Sequence, residues 1–421
     1  MDKNNKKYNY FITKNSISAD ISIPEDVKYI ASLYHKAGKE LFVVGGAIRD
    51  FIQGKIPHDY DLVTNALPEE SKLILKTLDV SDEQGKNFGV LRVYTDTEPL
   101  GHEIASYRKD ISGGRDVKGG DQKVEIGNHI SMEDDAQRRD LTINALYYDI
   151  IKKEIIDLVG GVSDIKSGII KTVGNPTERF SEDRLRILRA LRFTARVGGK
   201  LDLKTDIAIT RDHRLTNISE KEDVSRERIH EEWDKMTEHA EGSKSTIKTM
   251  QLYIDLLIDF DLLEEMFGHF NFNTNINITS INKSIIMSDL FSNIELTEKI
   301  SKKLIRTFKF NTDTLKEMNF LQKLKNMNID DVYKMTKLRY ATHISSDFIL
   351  DASNYFDLDE LLIKAFVDFS DIGLIVDGNE LMANGFKGRA IEVEKTRLEM
   401  ERFKELYIDE NGNLINHSHF N

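Results

Sequence analysis

Asp59 and Asp61 stand one residue apart, fourteen residues beyond the double glycine Gly45-Gly46. On a β-strand, residues i and i+2 face the same side, so the two carboxylates would project together. Side by side they repel, and a compact cation between them resolves the repulsion. Gly45 and Gly46 leave the backbone open to a phosphate. A helix starting there would turn its first amides toward that anion. A carboxylate-held cation beside a phosphate cradle is equipment for phosphoryl or nucleotidyl transfer. A lone Asp-x-Asp also serves as a turn or a helix cap, so the pair needs company. Glu103, in His102-Glu-Ile-Ala-Ser-Tyr-Arg108, lies on a predicted strand that would bring a third carboxylate alongside. Two or three such oxygens plus substrate phosphates suit Mg²⁺. Two of these ions would lower a hydroxyl's pKa and stabilise a leaving pyrophosphate.

Two further segments have chemistry of the same kind. In Arg138-Arg-Asp-Leu-Thr-Ile-Asn-Ala145, Asp140 and Asn144 are four apart and would share a helix face, with Arg139 beside them. Arginine offers a fork to phosphate, and aspartate accepts from a ribose hydroxyl. The competing reading is a salt-bridged helix start capped by Asp134 or Asp135. In Ser181-Glu-Asp-Arg-Leu-Arg-Ile-Leu-Arg-Ala-Leu-Arg-Phe193, the residues Asp183, Arg186 and Arg189 recur every third position, opposite an apolar stripe of Leu185, Leu188 and Leu191. Aspartate only accepts hydrogen bonds and arginine only donates them. Cytosine and adenine each present an amino donor beside a ring-nitrogen acceptor, which such a pair satisfies. Guanine and uracil present the reverse, and each mismatch leaves polar groups unpaired at about 1–3 kcal/mol. The competing reading is an ordinary i,i+3 salt bridge on a solvated helix.

These residues need elements to hold them. Glu25 to Glu40 reads as a helix with Val27, Ile30, Ala31 and Tyr34 at helical spacing. Leu41–Val44 reads as a short apolar strand, Ala47–Gln53 as a helix, and Leu62-Val63 as the continuation of the aspartate strand. Pro68 to Leu78 is predicted helical, with proline in the first turn. Phe88–Tyr94 and Glu103–Tyr107 alternate as strands. Ile111–Gln122, with four glycines, reads as a mobile loop. Asp135–Tyr147 is expected to be helical, and Ile155–Leu158 with Gly168–Val173 to form a hairpin. From Ser181 the pattern is helical almost without interruption, and none of the five prolines follows Pro176. The expected fold is therefore α+β: an α/β first third followed by helices.

The 421 residues exceed one ordinary core, so two to four domains are expected. The chain is 40% hydrophobic and 31% charged, as in soluble proteins, and lacks cysteine, which excludes disulfides and thiolate metal sites. No apolar run is long enough to span a bilayer, and no apolar signal core follows Met1–Lys7. A cytoplasmic protein without a membrane partner is expected; no protein partner is inferred. The net charge of −12 hides basic segments: Ser181–Lys200 has six basic and two acidic residues, and Ile281–Tyr340 has twelve and seven.

Taken together and in order, the motifs resemble the class II tRNA nucleotidyltransferase and bacterial poly(A) polymerase family. Gly45-Gly-x-x-Arg49-Asp50 with Asp59-x-Asp61 resembles its nucleotidyltransferase signature. Arg138-Arg-Asp-x-x-x-Asn-Ala resembles its ribose-binding motif, and Glu182-Asp-x-x-Arg186 its amino-acid template for the incoming base. Asp157-Leu-Val-Gly-Gly-x-x-Asp164 resembles the hinge between head and neck, Val224-Ser-Arg-Glu-Arg-Ile229 the last neck motif, and Gly378-Asn-Glu-Leu-Met-x-x-Gly385 a tail segment. The resemblance implies a polymerase beta-like head followed by an all-α neck, body and tail. The boundaries are a polar leader over 1–24, a head over 25–155, a neck over 156–240, a body over 241–345 and a tail over 346–421.

It implies addition of C, C and A to tRNA 3′ ends from CTP and ATP. Asp59 and Asp61 would hold two Mg²⁺ ions, with Glu103 a third catalytic carboxylate. Gly45, Gly46, Arg49, Arg139, Asp140, Asn144 and Arg189 would bind ribose and triphosphate, and Asp183 and Arg186 would read the base. Lys302, Lys303 and Arg306 are expected to grip tRNA phosphates. Two departures from the family pattern stand out: the loop carries extra residues after Gly113-Gly114-Arg115, and the C-terminal half has no His-Asp metal signature. Against poly(A) synthesis, Gly85-Lys-Asn-Phe88 stands where poly(A) polymerases resemble Gly-Arg-Arg-Phe. A-only or CC-only addition, poly(A) synthesis and, more remotely, silent tRNA binding are the alternatives.

Overall fold

The computed structural model describes residues 12–13, 16–57, 59–81, 89–115, 122–215, 224–237 and 244–415. The chain divides into two compact units. One comprises Met1–Glu232 with Asp255–Leu262, the other Trp233–Ile254 with Leu263–Asn421. All the motif residues except the basic helix and the tail segment fall in the first.

The first unit is built on a nine-stranded sheet. Its strands are β1 (Ile12–Thr13), β2 (Ser16–Ser18), β3 (Leu41–Val44), β4 (Leu62–Thr64), β5 (Asp79–Ser81), β6 (Val90–Tyr94), β7 (His102–Ser106), β10 (Leu146–Asp149) and β11 (Glu154–Asp157). Between β7 and β10 the chain forms a separate hairpin of β8 (Arg108–Arg115) and β9 (Gln122–Ile126). The sheet order is β1-β2-β11-β10-β3-β4-β7-β6-β5, with β4–β7 its one parallel pair. All four residues of β3 and of β10 are buried, as befits near-continuous apolar strands at the centre. Helix α1 (Glu25–Lys36) buries Val27, Ile30, Ala31 and Tyr34, the stripe read from the sequence. Helices α2 (Gly46–Ile52), α3 (Pro68–Ile74), α4 (Met132–Gln137) and α5 (Gly161–Ser167) are short. They lead to α6 (Pro176–Glu182), α7 (Leu185–Val197), α8 (Leu203–Arg211) and α9 (Arg226–Thr237).

The structure differs from the sequence reading at several places. The expected polar leader contributes β2, which pairs with β11, and buries Ala19, Ile21 and Ile23. The expected helix Asp135–Tyr147 stops at Gln137. A turn, a 3₁₀ segment (Thr142–Asn144) and β10 follow, because Leu141 bridges to Thr172 and draws the backbone into an extended path. The expected hairpin after residue 155 does not form. β11 pairs with β10, and Ile169–Ile170 (β12) runs parallel to Lys200–Leu201 (β13). Ile111–Arg115 and Gln122 are strand rather than loop, and the extra residues Asp116–Asp121 lie outside the described residues, as does Gly85-Lys-Asn-Phe88.

The second unit is helical. Polar residues cap its helices where the sequence supplies them: Asn282, Thr297, Asn311, Ser345 and Asp359 each accept a backbone N–H in the first turn. Its core joins Phe320, Leu321, Ile349, Phe366, Phe369 and Phe403. Among the described residues, no helix is long and apolar enough to cross a membrane.

Candidate active site

Strand order determines which motifs meet. β3 ends at Val44 beside the start of its antiparallel partner β4, and the Val44 amide donates to the Asp61 carbonyl at 2.9 Å. β7 runs parallel to β4 with Leu62 opposite Ile104, so the preceding residues Asp61 and Glu103 lie side by side. β10 starts on the other flank of β3, and the Gly45 amide donates to the Leu146 carbonyl at 3.1 Å. Four adjacent strands thus bring Gly45, Asp61, Glu103 and Asn144 to one end of the sheet. The aspartates precede β4 rather than lying within it.

Gly45 has φ +75°, a conformation that disfavours a side chain, and a Cβ there would come within 3.6 Å of the Asn144 carbonyl. Helix α2 starts at Gly46 and aims Arg49 back across this turn. Arg49 Nη1 donates to Asn144 Oδ1 at 2.8 Å, and Arg49 also pairs with Asp50 at 2.9 Å. Asn144 Nδ2 reaches Asp140 Oδ1 at 3.4 Å, and Arg189 Nε donates to Asp140 Oδ2 at 2.7 Å. Arg189 then approaches Glu232 at 3.5 Å, which accepts from Arg192 at 2.7 Å. Arg49 and Arg192 also lie over the Phe193 ring, 4.8 and 4.4 Å from its centroid. Four of the predicted nucleotide-binding side chains, Arg49, Asn144, Asp140 and Arg189, therefore form one continuous polar chain, which Glu232 extends to Arg192. Burial opposes ionisation of Asp140, but the Arg189 charge and hydrogen bond hold its carboxyl down at about 2.

Asp59 and Asp61 are open to solvent, yet Asp61 is crowded by protein. Burial pushes its carboxyl up, Glu103 and Asp59 push the same way, and Arg139 pulls against them. Glu103 forms an ion pair with Arg92 of β6, its register partner. Among the described residues no three His, Asp or Glu side chains stand close enough together to hold a metal ion by themselves. An all-oxygen pair of like charges still fits a hard cation completed by phosphates and water.

Arg139 makes a different contact from the one its motif suggested. It donates to Asp135 at 2.8 Å and to the Tyr147 hydroxyl at 3.2 Å. Asp135 is fully buried and also takes Arg138 at 2.7 Å and the Tyr147 O–H at 2.8 Å. Burial alone would raise its carboxyl; Arg139 and Arg138 outweigh that and hold it well below the carboxylate range. Asp135, read from the sequence as a cap, is thus the counter-ion of both arginines, while Ser131 caps α4.

The base-reading segment is also not one helix. It breaks at Asp183, whose backbone is extended (φ −149°, ψ 107°), and restarts at Leu185. Asp183 Oδ1 accepts the Leu185 amide at 3.1 Å, and Asp183 Oδ2 accepts Arg228 Nη2 at 2.7 Å. Arg186 is buried and donates from Nη1 to Glu182 at 2.6 Å and the Arg179 carbonyl at 3.2 Å. From Nη2 it reaches the Arg138 carbonyl at 3.1 Å and Asp110 at 3.4 Å. The i,i+3 pair between Asp183 and Arg186 does not form. Arg228, the partner of Asp183, belongs to the segment Val224–Ile229 but is not among the residues to which the sequence assigns a role. Glu232 and Arg192 carried no signal beyond charge.

The segment Asp157–Asp164 clamps this region. Asp157 accepts the backbone N–H groups of Val159, Gly160, Gly161 and Val162 at 2.8–3.2 Å. Asp164 accepts the Thr142 hydroxyl at 2.6 Å, and a Cβ at Gly161 would sit 2.1 Å from the Thr142 carbonyl oxygen.

Residues 41–171 match the poly A polymerase head domain family, so the sheet end built from them belongs to a nucleotidyltransferase head. The chain is 34% identical over 325 residues to the CCA-adding enzyme of Ligilactobacillus salivarius, covering 73% of this chain and 74% of that one. It is 31% identical to the CCA-adding enzyme of Bacillus pumilus over 365 residues, 83% and 84% of the two chains. It is 33% identical to poly(A) polymerase I of Escherichia coli O157:H7, spanning 50% of that protein. The fold matches that of Bacillus stearothermophilus CCA-adding enzyme in complex with CTP, with a TM-score of 0.65, 20% identity and coverage of 92% and 94%. The chain belongs to the family of CCA-adding enzymes and poly(A) polymerases, and is a nucleotidyltransferase.

Proposed function

We propose that the protein adds C, C and A to the 3′ end of tRNA, taking the nucleotides from CTP and ATP and releasing pyrophosphate. The observation that carries this reading is the convergence of Gly45, Asp61 and the Arg49–Asn144–Asp140–Arg189 chain at one end of the sheet. Asp59 and Asp61 would hold Mg²⁺, which when bound activates the RNA 3′-hydroxyl and steadies the leaving pyrophosphate. Arg49 and Arg189 offer donors to the triphosphate, and Asp140 and Asn144 face the ribose. Asp183 keeps lone pairs beyond those used by Arg228 and Leu185, so it can accept from the amino group of C or A. Arg186 has all four Nη hydrogens engaged, leaving Nε–H free to donate; the 3.4 Å contact to Asp110 is the one most readily exchanged. Head, neck, body and tail over 25–155, 156–240, 241–345 and 346–421, in a cytoplasmic enzyme, complete the proposal.

Incubation with tRNA lacking its terminal CCA and labelled CTP or ATP tests it. Two C additions followed by one A are expected. A additions only on tRNA ending in CC would indicate an A-adder. CC without A would indicate a CC-adder, and long A tracts a poly(A) polymerase, the reading favoured by the similarity to the Escherichia coli enzyme.

Asp183→Ala is expected to relax discrimination against UTP and GTP by roughly ten- to a hundredfold, since each mismatch penalty is about 1–3 kcal/mol. Single-nucleotide incorporation ratios measure this; a fall in rate with unchanged selectivity would remove the template role. Lys302, Lys303 and Arg306 are exposed on the helix Glu298–Phe308, with Lys302 paired to Glu298 and Lys303 lying 5.1 Å from the Phe270 ring centroid. Reversing all three charges is expected to weaken tRNA binding and to flatten the slope of log affinity against log salt by about 0.7–0.9 per lost phosphate contact. Filter binding over a salt series checks it, and an unchanged slope rejects the assignment.

A further inference from the structure

A polar cavity of about 800 Å³ opens in the second unit between the turn after helix Lys283–Leu290 and the C-terminal half of helix Thr312–Leu324. Its size lies within the range of small-molecule sites. Its walls hold unspent hydrogen-bonding capacity. Ser288 lines the cavity, is fully buried, and its hydroxyl has no partner among the described residues. A buried hydroxyl left unpaired costs about 1–3 kcal/mol, so a ligand that pairs it recovers that cost. The side-chain amides of Asn293 and Asn319 and the amine of Lys323 form no hydrogen bond or ion pair among the described residues.

The frame around these groups is fixed. Gln322 accepts the Leu296 amide at 3.2 Å and donates to the Ile294 carbonyl at 2.7 Å, tying the turn to the helix. Lys325 reaches over the Phe356 ring at 4.0 Å, and burial draws its ammonium pKa down while Asp289 opposes that. An anion beside it would stabilise its charge.

We propose that this cavity binds one nucleotide unit, with Asn319, Asn293 and Ser288 bonding the base edge and Lys323 and Lys325 the phosphate. Side-chain amides carry a donor and an acceptor together and so match the paired donor and acceptor on a base edge. The unit would come from an unstacked position of bound RNA or from free nucleotide; the RNA source rests on the tRNA reading above.

The test uses the full chain with Lys323→Ala alone and Asn319→Leu with Lys323→Ala, each checked for an unchanged thermal melt. Lys323→Ala alters an exposed side chain and keeps the test available if the double variant does not fold. Calorimetric titration with AMP and with CMP should show a second binding event in the wild type that both variants lose or weaken at least about tenfold. Filter binding of tRNA lacking CCA, at fixed salt, should show the same loss if RNA supplies the nucleotide. Loss in the tRNA arm alone assigns an RNA nucleotide, and loss in the mononucleotide arm alone a free one. Unchanged binding in both arms overturns the proposal. CTP and ATP incorporation by the same preparations is scored separately, so failure of the catalytic reading is distinguishable from failure of this one.

Discussion

Asp61→Asn is expected to lower nucleotide incorporation by at least about a thousandfold while leaving the fold intact or slightly more stable. The rate loss follows from removing one of two anionic oxygens that would hold the metal, an effect of several kcal/mol on the transition state. The stability expectation comes from the crowding at the sheet end, where burial, Glu103 and Asp59 raise the Asp61 carboxyl. A carboxyl with a raised folded pKa destabilises the fold where it is charged, so a neutral amide relieves repulsion at neutral pH. Glu103→Gln should cost less activity, because Glu103 is already paired with Arg92. Single-turnover incorporation and a thermal melt measure the two effects. Retained turnover would reject the metal-holding role, and a large drop in melting temperature would reject the crowding of Asp61.

Asp135→Asn is expected to destabilise the first unit by about 3–5 kcal/mol, the cost of removing one partner from a buried ion pair. Arg138 and Arg139 would keep their charges and lose their shared counter-ion, and the Tyr147 O–H would lose its carboxylate acceptor. The pH dependence has a definite sign. Asp135 is held below its unfolded value of about 3.9, so its contribution is present above that pH and disappears as pH falls through the folded value. Asp140, held at about 2, adds a loss in the same direction between about pH 4 and pH 2. The wild type should therefore lose stability below about pH 4, and the variant should lose less over that window. Urea midpoints by circular dichroism at pH 7 and pH 3.5 compare them. An equal midpoint at pH 7 would show that the buried cluster contributes nothing.

Much of the candidate site is legible in the sequence because its residues are tied to short local patterns. Leu41–Val44 is identifiable as four consecutive apolar residues, and Gly45 as the glycine that ends them, where the structure has a φ of +75°. The helical stripe of α1 was equally plain. Pairing partners were less accessible. Local spacing predicted that Asp183 and Arg186 share a helix face, but Arg228, forty-five positions away, takes the Asp183 carboxylate. Spacing likewise made Asp140 and Asn144 helical neighbours. They do meet, through a turn imposed by the bridge from Leu141 to Thr172. Long-range pairing of strands overrode helix periodicity there, and no window of sequence contains that information.

The clamp of Asp157, Gly161 and Asp164 onto Thr142 has a practical corollary for chimeras. Because Gly161 leaves no room for a methyl group against the Thr142 carbonyl, and Asp164 takes the Thr142 hydroxyl, the two stretches are shape-matched. Residues 140–164 would have to be transplanted between relatives as one cassette. Grafting either half alone would set a foreign surface against a gap already filled.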